Sequence, residues 1–203
     1  MSNRLVVIDF ETTGLSTNGG DRAIEVGAVS IEQGRITDSF QSLINTGVPV
    51  SSFIENYTGI SNAMLSGAPG PDRVFPELHR FVADAVLVAH NASFDRKFLD
   101  AEYARVGYHR AKPFLCSMRI ARRLYPACTN HKLGTLVKYA RVPITGDFHR
   151  ALADAQMTGL LWLAMMDKLK LNYGLRNVDL SLLQKLESTT VARAHDWLTA
   201  QGH

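Results

Sequence analysis

Two carboxylates, Asp9 and Glu11, directly follow an apolar run at residues 5–8. A short unbroken run of Leu, Val and Ile is typical of a strand that is buried on both faces. Because side chains alternate between faces along a strand, both carboxylates point to the same side. Two like charges at such close range repel each other, and a bound cation would offset that repulsion. The pair therefore indicates either a strand end entering solvent or one half of a cation site.

Two later segments could complete such a site. The sequence HNASFD at residues 90–95 follows a second apolar run, and HRALAD at residues 149–154 opens the longest predicted helix. Asp95 and Asp154 would add two carboxylates, and His149 would add a base. Because open sheets bind ligands at the carboxyl ends of their strands, we expect these groups to lie near Asp9. Ligands that are all oxygen favour Mg²⁺ or Mn²⁺ over zinc.

Four carboxylates and one histidine suit the hydrolysis of a phosphodiester. Two divalent ions about 3.5–4 Å apart can activate the attacking water and stabilise the leaving 3′-oxygen. A neutral imidazole can take the proton from that water near pH 7. Several carboxylates are needed because two dications and a phosphate must be balanced in charge.

These segments resemble the three exonuclease motifs of the DEDDh family, which contains the proofreading epsilon subunit of bacterial replicases, ribonuclease T and oligoribonuclease. The motifs are DFETTG at residues 9–14, HNASFD at 90–95 and HRALAD at 149–154. YTGIS at residues 57–61 and HKL at 131–133 resemble the connecting segments of the family. The resemblance spans residues 4–168. It implies an RNase H-like fold, stepwise 3′→5′ release of nucleoside 5′-monophosphates, and two Mg²⁺ or Mn²⁺ per active site.

The resemblance also implies roles for individual residues. Asp9, Glu11 and Asp154 would be direct metal ligands, with Asp9 bridging both ions, and Asp95 would act through water or on the second metal. His149 would be the general base, since the branch is defined by a His rather than a Tyr five residues before the last Asp. The residues expected to contact the terminal nucleotide or support the site are Thr12, Thr13, Gly14, Leu15, Ile60, Asn91 and Phe94.

The elements that must position these residues belong to an α/β protein with a mixed sheet flanked by helices. Strands at residues 5–11, 21–32 and 35–44 are predicted to form an antiparallel three-strand meander with a hairpin turn at Gln33-Gly34. Residues 85–89 and 114–115 are predicted as further, parallel strands. Asn91 or Ser93 is predicted to cap the helix that carries Asp95. The helix at residues 150–168 is apolar almost all round, so we expect it to lie between the sheet and another layer.

The chain is expected to form an exonuclease domain over residues 1–170 and a helical C-terminal extension over residues 171–203. The extension should contain two short helices joined near Ser188-Thr189, packed on the domain or forming a dimer contact. Their predicted apolar faces consist of Leu180, Leu183 and Leu186 in the first helix and Val191, Ala194, Trp197 and Leu198 in the second.

Charge is distributed unevenly along the chain. The net charge of +3 divides into −6 for residues 1–95, +9 for residues 96–150 and 0 for residues 151–203. A basic part beside an acidic one is typical of a protein that holds a polyanion near a carboxylate site. The candidates for holding phosphates are Arg119, Arg122, Arg123, Lys132, Lys138 and Arg141.

Composition and cysteine content favour a cytoplasmic protein. The 46% apolar and 20% charged content is ordinary for a soluble globular chain. Cys116 and Cys128 form no C-x-x-C pair, which excludes a zinc ribbon and suits a reducing compartment. We see no secretory segment and no apolar run long enough to cross a bilayer, so no membrane partner is expected.

The favoured function is a 3′→5′ exonuclease acting on single-stranded DNA or frayed 3′ ends. An RNA-preferring exoribonuclease of the same family is an alternative, because recognition of a 2′-OH rests on a few polar contacts. A third hypothesis is a non-catalytic subunit that binds a polymerase or nucleic acid. The presence of all four motif carboxylates and of His149 argues against it. A polymerase or a second copy of the chain is the expected protein partner.

Overall fold

A computed structural model of the protein describes residues 4–143 and 149–202. Its five strands form one sheet in the order β3-β2-β1-β4-β5. The strands are β1 (Leu5–Thr12), β2 (Ala23–Glu32), β3 (Arg35–Leu43), β4 (Val86–Ala89) and β5 (Phe114–Cys116). β1 to β3 pair antiparallel, whereas β4 pairs parallel with both β1 and β5. The predicted meander with additional parallel strands is therefore confirmed.

Helices cover both faces of this sheet. In the described part of the chain they are α1 (Ser52–Thr58), α2 (Asn62–Ser66), α3 (Pro71–Val82), α4 (Ser93–Arg105), α5 (Ser117–Leu124), α6 (Leu133–Tyr139), α7 (Ala151–Tyr173), α8 (Leu180–Ser188) and α9 (Val191–Gln201). Among the described residues, no helix is both long enough and apolar enough to cross a membrane.

The alternation along β1 divides the apolar core in two. Val6, Ile8 and Phe10 point to the face covered by α3 and α4, whereas Val7 points to the face covered by α7. Phe10 is therefore turned away from the two carboxylates beside it, as the strand period predicts. Each face buries a continuous apolar cluster, which fixes the register of β1 and hence the side to which Asp9 and Glu11 point.

The helix α7 is the central element of one face. One side of it packs on β1, β2 and β3, and other sides pack on α5, α6 and α9. This double burial explains why its sequence is apolar almost all round, as predicted.

The hairpin between β2 and β3 turns at Gln33 and Gly34, as predicted. Both residues have positive φ angles, 51° and 77°. Two consecutive positive φ angles characterise a type I′ turn, whose twist matches the twist of the flanking strands.

The prediction that Asn91 or Ser93 caps α4 is wrong. The residue before the helix is Ala92, and no side chain caps its first turn. Asn91 instead has a left-handed φ of 69°, and its Oδ1 atom accepts a hydrogen bond from the Ser93 hydroxyl at 3.5 Å. Asn tolerates the left-handed region better than most residues, so it forms the turn that leads out of β4.

The last two helices lie against the rest of the chain. Leu183 and Leu186 of α8 and Ala194 and Leu198 of α9 are buried in the same apolar cluster as α5 and α7. The preceding helix α7 continues to Tyr173, three residues beyond the expected domain boundary. The division at residue 170 stays a prediction, as does a dimer contact.

Candidate metal centre

Three of the predicted carboxylates come together at the carboxyl end of β1. One carboxylate oxygen from each of Asp9, Glu11 and Asp154 lies within 4.8 Å of the other two. The period of β1 places the first two on one side of the sheet, and the first turn of α7 brings the third. The arrangement is a compact set of oxygen donors, of the kind that hard divalent cations prefer.

The start of α7 reaches this position because β2 has a glycine there. Gly27 is the partner of Asp9 in the β1–β2 register. A Cβ atom at Gly27 would lie 2.1 Å from the backbone nitrogen of Leu152 and 2.2 Å from the carbonyl carbon of Ala151. The helix backbone therefore lies directly on β2, which brings Asp154 to the end of β1.

The buried side chain of Glu25 anchors the same helix. Its carboxylate accepts hydrogen bonds from Arg150 Nη2 at 2.9 Å, from the backbone N–H of Ala151 at 3.1 Å and from Gln41 Nε2 at 2.9 Å. Glu25 is also the strand partner of Glu11. Sequence reasoning missed Glu25, although a glutamate inside an otherwise apolar strand was a usable signal, since buried carboxylates need partners.

The fourth carboxylate, Asp95, is placed differently. It is 2% exposed, and its Oδ1 atom accepts a hydrogen bond from the backbone N–H of Phe10 at 3.2 Å. In the described residues it is not part of the three-carboxylate group, but its charge acts on Asp9. Its predicted action through water or on a second ion stays a prediction.

His149 lies beside the cluster in a strained backbone conformation. Its φ is 66°, and its backbone N–H donates to Asp154 Oδ2 at 3.0 Å. Its ring packs against Tyr57, with the ring centroids 4.1 Å apart. Tyr57 in turn stacks with Phe53, and both aromatic side chains are largely exposed. Sequence reasoning gave Tyr57 no role, because the contact joins residues 92 positions apart.

The electrostatics of the cluster call for a cation. Burial, followed by the charges of Asp95, Asp154, Glu11 and Glu25, raises the pKa of Asp9 well above its usual value. Burial and the neighbouring acids raise the pKa of Glu11 to about 8. Burial also raises the pKa of Asp95, to about 7, although hydrogen bonds from backbone N–H groups oppose the shift.

One buried carboxylate oxygen of the cluster, Asp154 Oδ1, has no partner among the described residues and is free to bind a metal. Burial raises the pKa of Asp154, and its Oδ1 atom is buried with no hydrogen-bond partner among the described residues. A divalent cation would satisfy that oxygen and remove the cost of ionising three crowded carboxylates. The residues present therefore fit a divalent metal, with Asp9, Glu11 and Asp154 as its holders.

Side-chain hydrogen bonds stabilise the turn after β1, where residues 12–15 are predicted to contact the substrate. The Thr12 hydroxyl donates to the Gly14 carbonyl at 2.6 Å, and the Thr13 hydroxyl donates to Asp21 Oδ1 at 3.2 Å. Leu15 is 77% exposed at the end of this turn. Its side chain is thus available to a ligand, as predicted for an apolar wall.

The other predicted substrate residues differ in accessibility. Phe94 is half-buried and packs on Phe98 with a centroid distance of 4.9 Å, whereas Asn91 is exposed. Ile60 is completely buried with Ile24, Val50 and Leu65. In this conformation the Ile60 side chain has no exposed surface for a nucleotide, and contact with substrate would require its neighbours to move.

Two further histidines hold loops together. His90 contacts the Ser117 hydroxyl through Nδ1 at 2.8 Å and the His131 carbonyl through Nε2 at 2.9 Å. Burial lowers the pKa of His90 to about 4, so its ring is neutral near pH 7. The His131 ring contacts the Tyr125 carbonyl through Nε2 at 3.1 Å. These contacts favour structural roles for both residues.

Comparison with known proteins agrees with the motifs and the fold. A family model described as an exonuclease family of the RNase T type matches residues 6–161. A PolC-type DNA polymerase III from Caldanaerobacter subterraneus is 38% identical over 178 residues, which is 88% of this chain and 12% of the relative. The corresponding polymerase of Halalkalibacterium halodurans is 41% identical over 169 residues, 82% of this chain and 12% of the relative. The chain thus spans about an eighth of the length of these polymerases.

A solved structure shows the same fold over nearly its whole length. Exonuclease X, solved in complex with 5′ overhanging duplex DNA, superposes with a TM-score of 0.71 and 26% identity. The match covers 91% of this chain and 99% of that one. The predicted RNase H-like α/β fold is therefore confirmed. The chain belongs to the DEDDh family of 3′→5′ exonucleases, a family of divalent-metal-dependent nucleases.

Proposed function

We propose that this chain removes nucleoside 5′-monophosphates stepwise from the 3′ end of single-stranded DNA or of frayed duplex ends. The observation that carries the proposal is the convergence of Asp9, Glu11 and Asp154 within 4.8 Å of one another, at the edge of the sheet where motif-derived substrate residues also lie. The preference for DNA is supported by the similarity to replicative DNA polymerases and to Exonuclease X, which was solved with DNA.

The proposed cofactors are two Mg²⁺ or Mn²⁺ per active site. Asp9, Glu11 and Asp154 would hold them directly, and Asp95 would act through water or on the second ion. When bound, such ions supply a water of lowered pKa and neutralise the charge that develops on the phosphate and the leaving 3′-oxygen. The raised pKa values of Asp9 and Glu11 support this assignment, because bound cations would keep both groups ionised at neutral pH.

His149 is proposed to accept the proton of the attacking water. Its backbone is tied to Asp154 at 3.0 Å, so the base and one metal holder move together. Tyr57 packs on the imidazole ring and limits the positions that the ring can take. A base held close to the reacting water gains most from such restriction, because proton transfer requires hydrogen-bond distance.

The terminal nucleotide is proposed to lie between the turn at residues 12–15 and the start of α4. Leu15 offers an exposed apolar side chain, and Phe94 offers a partly exposed ring. Lys97 of α4 donates to the Leu15 carbonyl at 2.5 Å and so links the two walls. Thr12, Thr13 and Gly14 would contribute backbone groups, with Asn91 supporting the site.

The functional context is proposed from the relatives. The matched segment makes up only 12% of each polymerase, so association with a polymerase, a second copy of the chain and cytoplasmic localisation are all proposals. An RNA-preferring enzyme is the second candidate, because the same carboxylate chemistry cuts either backbone.

The test is a gel assay with 5′-labelled single-stranded DNA and RNA of one sequence. Reactions contain Mg²⁺, Mn²⁺ or EDTA, and the Asp9→Asn variant controls for contaminating nucleases. A metal-dependent ladder that shortens from the 3′ end, and is missing in the variant, is expected to be faster on DNA. A faster ladder on RNA would favour the second candidate. If neither DNA nor RNA gives a ladder, the proposed reaction is refuted, and a binding role without catalysis is favoured.

A further inference from the structure

A pocket lies at the carboxyl ends of β4 and β5, on the edge of the sheet where β1 carries the acidic cluster. It has a volume of about 280 Å³, and its walls include Asn91 from the end of β4 and Cys116 from the end of β5. β1, β4 and β5 run parallel, so their carboxyl ends share one edge. A nucleic acid strand that leaves the metal site along this edge would therefore pass over the pocket.

The spacing of the strands gives the distance from the metal site. Neighbouring strands are about 4.8 Å apart, so β5 lies on the order of 10 Å from β1. A stacked nucleic acid strand advances about 3.4 Å per nucleotide. By these spacings, a stacked strand that follows the edge from the proposed cleavage site would reach the pocket after about two to three nucleotides.

The walls of this pocket carry three guanidinium groups and one carboxylate. Arg96 comes from α4, Arg119 and Arg122 come from α5, and Glu187 comes from α8. Arg119 Nη1 lies 3.3 Å from Glu187 Oε1, and its Nη2 atom donates to the Glu187 carbonyl at 3.1 Å. Arg119 thus connects α5 to α8, and together with Glu187 it forms one wall of the pocket.

Among the described residues, the other two arginines do not hold α8 by hydrogen bonds, although the charge of Arg96 also acts on Glu187. Both Arg96 and Arg122 are exposed, and in the described parts of the chain neither forms an ion pair with a carboxylate. Arg122 Nη2 lies 3.8 Å from the sulfur of Met118 and so rests on the pocket wall. A guanidinium group presents paired N–H donors that match the oxygens of a phosphate.

The surroundings of the pocket are fixed by long-range contacts. His90 connects the end of β4 to Ser117 of α5 and to the loop before α6. Arg123 donates to the Thr189 carbonyl at 2.8 Å and ties α5 to the segment after α8. Arg122 is therefore presented by a helix that contacts within the chain hold on two sides.

We propose that Arg96 and Arg122 form a binding subsite for the backbone phosphate that lies two to three nucleotides upstream of the scissile bond. This proposal rests on the proposed function, since it concerns the same substrate strand. Contacts to phosphate position the strand without reading its sequence. The subsite would thus serve an exonuclease that removes nucleotides irrespective of the base.

The experiment compares substrates with and without the upstream phosphate. One substrate is the p-nitrophenyl ester of thymidine 5′-monophosphate, which has a single phosphodiester. The others are a single-stranded DNA octamer and the same octamer with one neutral methylphosphonate, placed at each position in turn. The enzymes are the wild type, Arg96→Ala, Arg122→Ala and the double variant.

The subsite predicts a loss that depends on substrate length. Each single variant should raise KM for the octamer about 10- to 30-fold, the lower part of the range for losing one charge-assisted hydrogen bond, with kcat within about twofold. KM for the nucleotide ester should stay within about twofold. In the double variant, the slope of log affinity against log salt should fall by about 0.7 for the lost phosphate contact.

The matched control is Arg80→Ala. Arg80 is an exposed arginine near the end of α3, which leads to the amino end of β4 and hence to the opposite edge of the sheet. Its removal takes away the same charge but should change KM for the octamer less than about twofold. An equal effect from Arg80→Ala would mean that the arginines act only by attracting DNA through their overall charge. That result would refute the subsite.

The methylphosphonate scan tests the subsite even if a variant fails to fold. In the wild type, a neutral linkage at the second or third upstream phosphate should raise KM as much as the variants do, with no further effect in the double variant. A uniform response along the octamer, or an undiminished response in the double variant, would overturn the proposal.

Binding measurements separate this proposal from the proposed function. The dissociation constant of a fluorescent octamer is measured by anisotropy in EDTA for all four enzymes. If the same pattern of loss appears although the wild type hydrolyses neither substrate, the subsite stands and the proposed reaction is wrong. If hydrolysis occurs but the dissociation constant and KM are unchanged in the arginine variants, the reaction stands and the subsite is wrong.

Discussion

Two clusters of like charge lie along one edge of the sheet, and their surroundings differ sharply. The acidic cluster at the end of β1 is packed into the protein, with Asp95 and Asp154 tied to backbone N–H groups. The arginine cluster beside β5 is open to solvent, and of its three guanidinium groups only Arg119 forms an ion pair in the described residues.

The difference supports the ligand that we propose for each cluster. Buried like charges carry a large cost, which a tightly held cation can offset, so the acidic cluster fits a metal site. Exposed arginines cost little in the free protein, because water and salt screen them. They suit a ligand that is released after each step, such as the backbone of a nucleic acid strand.

The largest expected effect comes from breaking the acidic cluster. Asp9→Asn should reduce cleavage to background, because Asp9 is a proposed metal ligand. In EDTA at pH 8 the same variant should be more stable than the wild type, by about 1–3 kcal/mol, since crowded carboxylates repel one another. Gel assays and urea unfolding measure the two effects.

Asp84→Asn serves as the control for this change. Asp84 is exposed in the turn before β4 and should affect neither activity nor stability noticeably. An Asp9→Asn variant with near-full activity would remove the metal-site assignment. If Asp9→Asn were less stable than the wild type in EDTA, repulsion between the carboxylates would not be destabilising the folded protein.

Removing the proposed base should have the next largest effect. His149→Ala should lower kcat by roughly 10²–10⁴-fold, the usual contribution of a general base. Tyr57→Ala should lower kcat less, and Tyr57→Phe should restore it, because the ring and not the hydroxyl packs on His149. Single-turnover rates on a DNA octamer provide the measurement.

His109→Ala is the matched control, since His109 is exposed on the loop after α4. A wild-type rate for His149→Ala would mean that another group takes the proton. If Tyr57→Phe were as slow as Tyr57→Ala, the packing role of the ring would be excluded.

Ion pairs allow the two clusters to be compared directly. Glu25→Gln weakens the ion pair between the fully buried Glu25 carboxylate and the partly exposed Arg150 side chain. It should lower the free energy of unfolding by about 1–3 kcal/mol, together with kcat. Arg119→Ala breaks a partly exposed pair and should cost less than about 1 kcal/mol. Urea unfolding of both variants gives the two values. Equal costs would contradict the contrast between the clusters.

A dependence of stability on pH is also expected in the absence of metal. The pKa of Glu11 is about 8 in the folded protein against an ordinary value of 4.5, so the folded state binds the proton more tightly. Its contribution to stability is complete below about pH 4.5 and is lost as the pH rises through about 8. The decline should amount to about 1–2 kcal/mol once solvent screening is considered.

Thermal unfolding between pH 4.5 and 8.5, in EDTA and in excess Mg²⁺, checks this dependence. Mg²⁺ should reduce the decline, and Glu11→Gln should flatten it even in EDTA. Stability that rises across this range in EDTA would contradict the pKa assignment.

The sequence alone was sufficient for several local features. The period of two along β1 predicted that Asp9 and Glu11 share one side and that Phe10 takes the other. The hairpin at Gln33 and Gly34 was evident from turn chemistry. Each of these features depends on residues that are close in sequence.

Other features required the tertiary structure, since they join distant parts of the chain. Glu25 holds Arg150 across 125 positions, and no local pattern marks that pair. Ile60 was expected beside the nucleotide but is buried, because two short helices fold over it with Ile24. Arg123 was a candidate for phosphate, yet it holds the segment after α8.

The sequence by itself therefore determined which residues can do the chemistry and which side of a strand they share, because side-chain direction follows from backbone period. Only the tertiary structure decided how close Asp154 comes to Asp9. That distance depends on Gly27, where the absence of a Cβ atom lets the backbone of α7 lie directly on β2. Close approach of two backbones is a property of packed surfaces, and one segment alone does not specify it.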